Sequence, residues 1–414
     1  MKVLLLSPWL PWPPYDGGRI RILETLRYLS RRHSVTLLTP IYRGEETGHI
    51  AALRGLCQNI VTVELSNRTG AVLSRLSKGL LQGRPLIHSF YYDKQLAMRI
   101  RDLTSQTDYD IIHVEYSFLT PYLDAVCPRS RAKKILAMHN IESLRFEREL
   151  QHSQWSKRWL FLLGDYLLFR NWEARALRKF DGIIAVSDTE RSWVQQNAPE
   201  TAVEIIPNGV DMDYFRPDSA VASNGNPYVI FTGAMDYPPN MDAAAWFCDE
   251  VFPVLKRRMP KLGFKIVGKD PHPQILELGR KDGVHVTGTV ADIRSYLARA
   301  LAVVVPLRSG GGTRHKIPQA MAMERPVIST SIGAEGLEVN PGTDILIADN
   351  AERFVEHIHA LAKSPEASKR IGRAGRRLVM DKYDWRVCLS RLERLYGSVL
   401  ASAVLWTNLA WFVE

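Results

Sequence analysis

The residues best suited to chemistry in this chain run from Ser309 to Val327, SGGGTRHKIPQAMAMERPV, directly after the apolar stretch VVVPL. Gly310, Gly311, Gly312 and then Thr313 offer backbone N–H groups that little side chain shields, beside a helix whose N-terminus adds positive charge density. Arg308, Arg314 and Lys316 place three cations around those donors. Strand, glycines, cations and helix in that order are what binding a phosphate requires. Neither G-x-x-x-x-G-K-[ST] nor G-x-G-x-x-G after a strand occurs, which argues against a Walker nucleotide triphosphatase and against a Rossmann dinucleotide site. A surface glycine loop between solvated charges is the plainer alternative.

Such a loop needs a frame, and the chain supplies one twice. Short apolar, β-branched runs alternate with longer amphipathic stretches, the pattern of βα units around a parallel sheet. Strands are expected near Val3–Leu6, Val35–Thr39, Ile60–Leu65, Ile111–Glu115, Ile135–His139, Ile183–Ser187 and Val203–Ile206. After a Pro-, Asn-, Ser- and Gly-rich stretch the rhythm restarts, near Val229–Thr232, Phe264–Val267, Val284–Thr287, Val303–Pro306, Val327–Thr330 and Ile345–Ile347. A length of 414 residues agrees, since domains hold roughly 100 to 200. The expected organisation is a first Rossmann-like domain over 1–207, a linker over 208–226, a second Rossmann-like domain over 227–383, and a C-terminal helix with apolar tail over 384–414 crossing back to the first. Two doubly wound sheets place a ligand at the carboxyl ends of their strands, in the cleft between them.

Composition narrows the class. With 46% hydrophobic and 24% charged residues the chain is neither disordered nor collagen-like. The formal charge of +10 is uneven: residues 1–200 carry 28 basic and 20 acidic side chains, the rest 26 and 24. An anionic partner is therefore expected mainly at the first half. Cys57, Cys127, Cys248 and Cys388 lie far apart with no C-x-x-C pair, which suits a reduced, cytoplasmic chain without structural zinc. Prolines at 8, 11, 13 and 14 interrupt the first apolar run before it could form a signal peptide, and the apolar tail Val399–Val413 falls short of the roughly 20 residues of a membrane span.

The opening PWPPYDGGRIR, IPNGVDMDYF near the domain crossing, FTGAMDYPPNMDA, and PLRSGGGTRHKIPQAMA followed by RPVISTSIGAEGL together resemble glycosyltransferase family 4, and within it the sugar transferases of exosortase and exopolysaccharide clusters. The resemblance runs from Lys2 to about Tyr396. It implies a GT-B fold and retaining transfer from a UDP- or GDP-sugar. No metal is required, and the N-terminal domain binds the acceptor.

Carried over residue by residue, Gly17 and Gly18 match the first glycine loop, and Arg19 opens the next helix within reach of an anionic acceptor. Glu115 ends the strand IIHVE where many relatives have a histidine, with His113 two residues earlier on the same face. His139 and Asn140 end ILAMHN, and His139 is expected to touch sugar or acceptor. In the second half Gly233 ends the first strand where backbone would approach the nucleotide, Asn240 follows in the next loop, and Lys269 ends KIVGK at a comparable strand edge, where a cation could face phosphate. Glu115, His139 and Lys316 are the expected catalytic residues. Donor binding falls to Gly17, Gly18, Gly233, Asn240, Lys269, Arg308, Gly310, Gly311, Gly312, Thr313, Arg314 and Gln319. Asn208 and Gly209 form a turn, and Asp211 and Asp213 belong to that turn rather than to a D-x-D metal site. Donors fixed around the leaving diphosphate would stabilise charge that develops in the transition state.

Three departures stand out. The family's E-x7-E pair falls on Gly311 and Gln319, the latter replacing a carboxylate expected to accept from the ribose hydroxyls. Pro318 sits inside the expected helix, which predicts a helix starting late, near Ile317 or Pro318. Glu324 stands where a helix-ending glycine is usual and is strained if its backbone is left-handed. Together they keep open a catalytically degenerate, nucleotide-binding scaffold beside the active transferase; a GT-B epimerase lacks an identifiable carboxylate and histidine set.

Residues 145–180 hold eight Arg/Lys against four Asp/Glu, with Trp155, Trp159, Trp172 and the run WLFLLGDYLLF. This composition suits an anionic membrane surface and equally a helix covering the domain; the basic stretch Arg68–Arg84 is compatible with the first. No nucleic-acid motif accompanies the cations. The sequence thus points to a cytoplasmic or peripheral membrane enzyme moving a sugar to a glycan or lipid-linked acceptor, in exopolysaccharide or cell-surface glycan synthesis.

Overall fold

All thirteen apolar runs expected as strands are strands in the computed structural model, which describes residues 1–42, 47–65, 69–81, 85–152, 157–217, 225–310 and 315–410. They are β1 Lys2–Leu6, β2 Ser34–Tyr42, β3 Asn59–Leu65, β4 Ile111–Glu115, β5 Lys133–Ala137, β6 Gly182–Ala185 and β7 Ala202–Ile205 in one sheet, ordered β3-β2-β1-β4-β5-β6-β7. A second sheet has β8 Tyr228–Thr232, β9 Gly263–Val267, β10 Val284–Val286, β11 Ala302–Val305, β12 Val327–Ser329 and β13 Leu346–Ile347, ordered β10-β9-β8-β11-β12-β13. Every pairing is parallel. Helices cover both faces of such sheets, so their strands are continuous apolar runs rather than alternating ones. Val3 to Leu6 and Ala302 to Val305 are all buried. The architecture is the pair of Rossmann-like sheets of the GT-B fold.

The chain divides into two compact units, one of residues 1–207 with 389–414, the other of residues 208–388. Residues 208–217 thus belong to the second unit. There Val210 bridges to Asp384, and the indole of Trp385 fills the space where a Gly209 side chain would stand: a Cβ on Gly209 would lie 2.6 Å from Trp385 Cδ2. The helix Trp385–Ala410 carries the chain back, and its Leu392, Leu395 and Tyr396 are buried in the first unit. Gly182 makes room for it, since a Cβ there would lie 3.1 Å from Leu395 Cδ1.

The segment 145–180 contributes described residues to two helices, Glu142–His152 and Lys157–Leu177. Phe146, Leu150, Tyr166 and Phe169 form a small core of their own there, while Leu160, Leu167 and Leu168 are exposed. Trp155 lies outside the described residues. Among the described residues no helix is long and apolar enough to cross a membrane.

Candidate active site

In each sheet the strand order reverses once, between β1 and β4 and between β8 and β11. Doubly wound sheets bind ligands outside the carboxyl ends of the strands at that reversal. Gly17, Gly18, Glu115 and Tyr116 cluster at the first reversal, Gly233, Arg308 and Gly310 at the second.

At the first reversal, Asp16 caps the helix Gly17–Ser30 by accepting from the Arg19 backbone N–H at 2.9 Å. Arg19 is engaged locally: it pairs with Asp16 and lies over the rings of Tyr15 (4.4 Å) and Trp9 (5.4 Å). From β4, Glu115 projects inward and is fully buried rather than lining the ligand side, the placement expected from its position at a strand end. Its Oε2 is 2.7 Å from His139 Nε2 and its Oε1 is 3.2 Å from His113 Nε2. His113 in turn lies 2.7 Å, through Nδ1, from the hydroxyl of Tyr396 on the returning helix. His113 is therefore a packed histidine. Burial opposes a charge on Glu115, but the flanking imidazoles of His113 and His139 outweigh it and hold the carboxyl well below the usual range. Burial is also the largest influence on His139 and lowers its pKa, against the pull of Glu115. The directions agree on an ionised Glu115 beside a neutral His139 near pH 7.

Strand β5 stops at Ala137, two residues before the expected end, so His139 sits on the bend beyond it. Tyr116 stacks on its ring at 3.8 Å between centroids with 9° between planes. Sequence reasoning missed Tyr116: its backbone is left-handed, φ 74°, a conformation with no signature in a tyrosine. A Cβ on Gly18 would stand 2.2 Å from the Tyr116 hydroxyl, so Gly18 is fixed by this contact. Behind the site Glu173 is buried, accepting from Ser117 Oγ at 2.9 Å and the Ser143 N–H at 3.0 Å, with its pKa pushed up to about 7 by burial.

At the second reversal, Lys316 donates to Asn240 Oδ1 at 2.8 Å and lies 4.3 Å from the Phe231 ring centroid. Asn240 donates to the Ala234 carbonyl at 2.9 Å. Gly233, at φ 155°, leaves no room for a side chain: a Cβ would meet Asn240 Nδ2 at 2.8 Å and Lys316 Nζ at 3.1 Å. Gly268 packs its Cα against the Gly233 carbonyl in the same way, a contact the motif KIVGK gave no reason to expect. The structure thus brings Gly233, Asn240 and Lys316 together. Lys269 Nζ lies 3.4 Å from Asp270, and Arg308 pairs with Asp242, its Nε 3.0 Å from Oδ2. Gly310 has φ 108°; Gly311, Gly312, Thr313 and Arg314 lie outside the described residues.

The next helix spans Lys316–Ala322, so Pro318 falls in its first turn, where no intrahelical donor is lost. Gln319 is half-buried within it. Glu324 follows with φ 54°. Its N–H bonds to Met321 at 2.9 Å and that of Arg325 to Ala320 at 3.0 Å, the paired bonds of a Schellman ending. Asp211 accepts from the N–H groups of Asp213 and Tyr214, each at 2.9 Å, as an Asx turn does.

Two family profiles match the chain, "Glycosyltransferase Family 4" over residues 15–214 and "Glycosyl transferases group 1" over 226–364. This chain belongs to glycosyltransferase family 4. A Klebsiella pneumoniae relative of this family 4 glycosyltransferase, an uncharacterized 44.6 kDa protein in a cps region, is 22% identical over 94% of this chain and 98% of its own. A phosphatidyl-myo-inositol mannosyltransferase of Mycobacterium tuberculosis is 29% identical over 54% of this chain and 61% of its own. Among solved structures, sucrose-phosphate synthase from Thermosynechococcus elongatus shares the fold at a TM-score of 0.69 and 17% identity, covering 97% of this chain and 100% of that one. Anabaena HepE in complex with UDP-glucose does so at 0.65 and 14%, covering 96% and 100%.

Proposed function

We propose that this glycosyltransferase moves a hexose from a nucleoside-diphosphate sugar to a glycan or lipid-linked acceptor, with retention at the anomeric carbon and without a metal ion, in the synthesis of exopolysaccharide or another surface glycan. The observation that carries the donor assignment is Lys316, held by Asn240 over Phe231 beside the side-chain-free backbone of Gly233. A fixed ammonium there suits the charge a leaving diphosphate acquires, and it needs no reorganisation when the bond breaks. Relatives that use GDP-mannose and a neighbour that holds UDP-glucose support a nucleotide-sugar donor and leave the base to experiment. The cps-region relative supports the polysaccharide role. The exposed leucines at 160, 167 and 168, on a basic half of the chain, suit an acceptor presented at the inner membrane surface, which implies a cytoplasmic protein at the membrane periphery. Pro318 and Glu324 are both accommodated by the local backbone, which favours an active enzyme over a degenerate scaffold.

Calorimetric titration with UDP, GDP and their sugars tests the reading. One of the two nucleotides is expected to bind together with its sugars, and a nucleotide sugar of that base to release nucleoside diphosphate in the presence of membrane extract. Lys316→Met is expected to weaken that binding roughly 10- to 100-fold, the worth of a charge-assisted hydrogen bond. Binding of none, or equal binding by Lys316→Met, overturns the donor assignment.

A further inference from the structure

We infer that Glu115 is a positioning residue: its carboxylate fixes His139 in the tautomer protonated at Nε2, leaving Nδ1 as a hydrogen-bond acceptor for a hydroxyl of the carbohydrate ligand. The inference deepens the transferase reading and rests on it for the identity of that ligand. Position at a strand end puts both residues at the ligand; the structure separates their roles.

The assignment follows from donor and acceptor bookkeeping. An ionised carboxylate only accepts, so each ring nitrogen within hydrogen-bond distance of it must carry a proton. His139 Nε2, 2.7 Å from Oε2, is therefore the protonated nitrogen. A neutral imidazole then has its lone pair on Nδ1. The other side of the carboxylate lacks that bond, since Oε1 and His113 Nε2 are buried without a hydrogen-bond partner. His113 turns Nε2 toward Oε1 at 3.2 Å, and its Nδ1 lies 2.7 Å from the Tyr396 hydroxyl. The phenol, pushed up by burial, keeps its proton. Glu115 is thus flanked by two imidazoles and bonded to His139, while Tyr396 holds His113. Tyr116, parallel to His139 at 3.8 Å, sets the plane of the other ring.

The side chains that bear on His139 come from three elements. Glu115 and Tyr116 stand at the end of β4, Arg21 in the helix Gly17–Ser30, and Glu142 at the start of Glu142–His152. Arg21 opposes and the two carboxylates favour a positive imidazole, while burial keeps it neutral. The acceptor form is accordingly the working form near neutral pH. A glutamine at position 115 offers both an N–H and a carbonyl, and so specifies neither tautomer.

Ring-nitrogen NMR of the full chain, with the His139 signals assigned by their loss in His139→Gln, reads the tautomer directly. The wild type is expected to be protonated on Nε2 from pH 6 to 8, Glu115→Gln to populate both tautomers, and Glu115→Asp to restore part of the preference. With a donor that turns over, Glu115→Gln is expected to lower kcat roughly 10- to 100-fold, to alter its pH profile, and to leave nucleotide binding by the second unit unchanged. A wild-type His139 protonated on Nδ1 overturns the inference without any variant having to fold; so does a folded Glu115→Gln that keeps the wild-type tautomer or the wild-type kcat. The NMR result does not depend on turnover. If no donor binds while the tautomer responds to Glu115, the transferase reading fails and the positioning role stands.

Discussion

Tyr116 holds a backbone angle that costs a non-glycine residue about 1–2 kcal/mol, and its surroundings over-determine it. Its ring is stacked on His139, lies 4.9 Å from Phe118 and 5.2 Å from Trp9, and its hydroxyl closes on Gly18. Gly18→Ala is therefore expected to destabilise the first unit by about 1–3 kcal/mol, measured as a lower Tm. The hydroxyl is the atom within 3 Å of the added methyl. Tyr116→Phe introduced with Gly18→Ala should recover most of the loss, and strictly additive effects of the two changes would refute the contact. The family resemblance, together with position at an expected strand end, singled out Glu115 and His139 in the sequence. Their mutual bond was not legible, because strands buried on both faces give no alternation that tells inward from outward. Nor was the link to Tyr396, 283 positions from His113.

Among elements, the helix Lys316–Ala322 resolves two apparent errors in the sequence. A proline in the first turn needs no donor, and an acidic residue at the left-handed end still allows both closing hydrogen bonds. The second arrangement is strained, and Gly372 shows how closely it is packed: a Cβ there would meet the Glu324 carbonyl oxygen at 2.2 Å. Glu324→Gly should raise the stability of the second unit by about 1 kcal/mol, whereas Glu324→Ala, which retains a Cβ, should not. Thermal melts of the two variants compare them directly, and equal shifts would contradict the strain. Strands were legible throughout, since a continuous β-branched run bounded by turn residues has few other structures open to it. Their ends were not. Whether β5 includes His139 depends on Met138 donating to Ile184 while the next residue turns away, a matter of neighbours rather than of propensity.

The molecule as a whole is two units of unequal continuity. The second is one uninterrupted stretch, while the first is completed by residues 389–414. Leu392, Leu395, Tyr396 and Val399 are all buried there, and burying each such side chain is worth about 1.5–3 kcal/mol. Deleting residues 389–414 should lower the first unit's melting transition by well over 10 °C or abolish it, and leave the second unit's transition in place. Scanning calorimetry separates the two; equal loss in both would mean that they do not melt independently.

The returning helix also sets an order of assembly during synthesis. Residues 1–207 contain every strand of the first sheet, yet Tyr396, the partner of His113, is made almost two hundred residues later. At the roughly 5–20 residues per second of translation, the unfinished sheet waits on the order of ten seconds or more with the groove for that helix uncovered. Throughout that interval His113 lacks its phenol, and the imidazole–carboxylate row leading to His139 is incomplete. The first unit therefore acquires its finished polar interior only after the second has been translated, and a chain that stops early is left with an open apolar groove for chaperones and proteases to recognise.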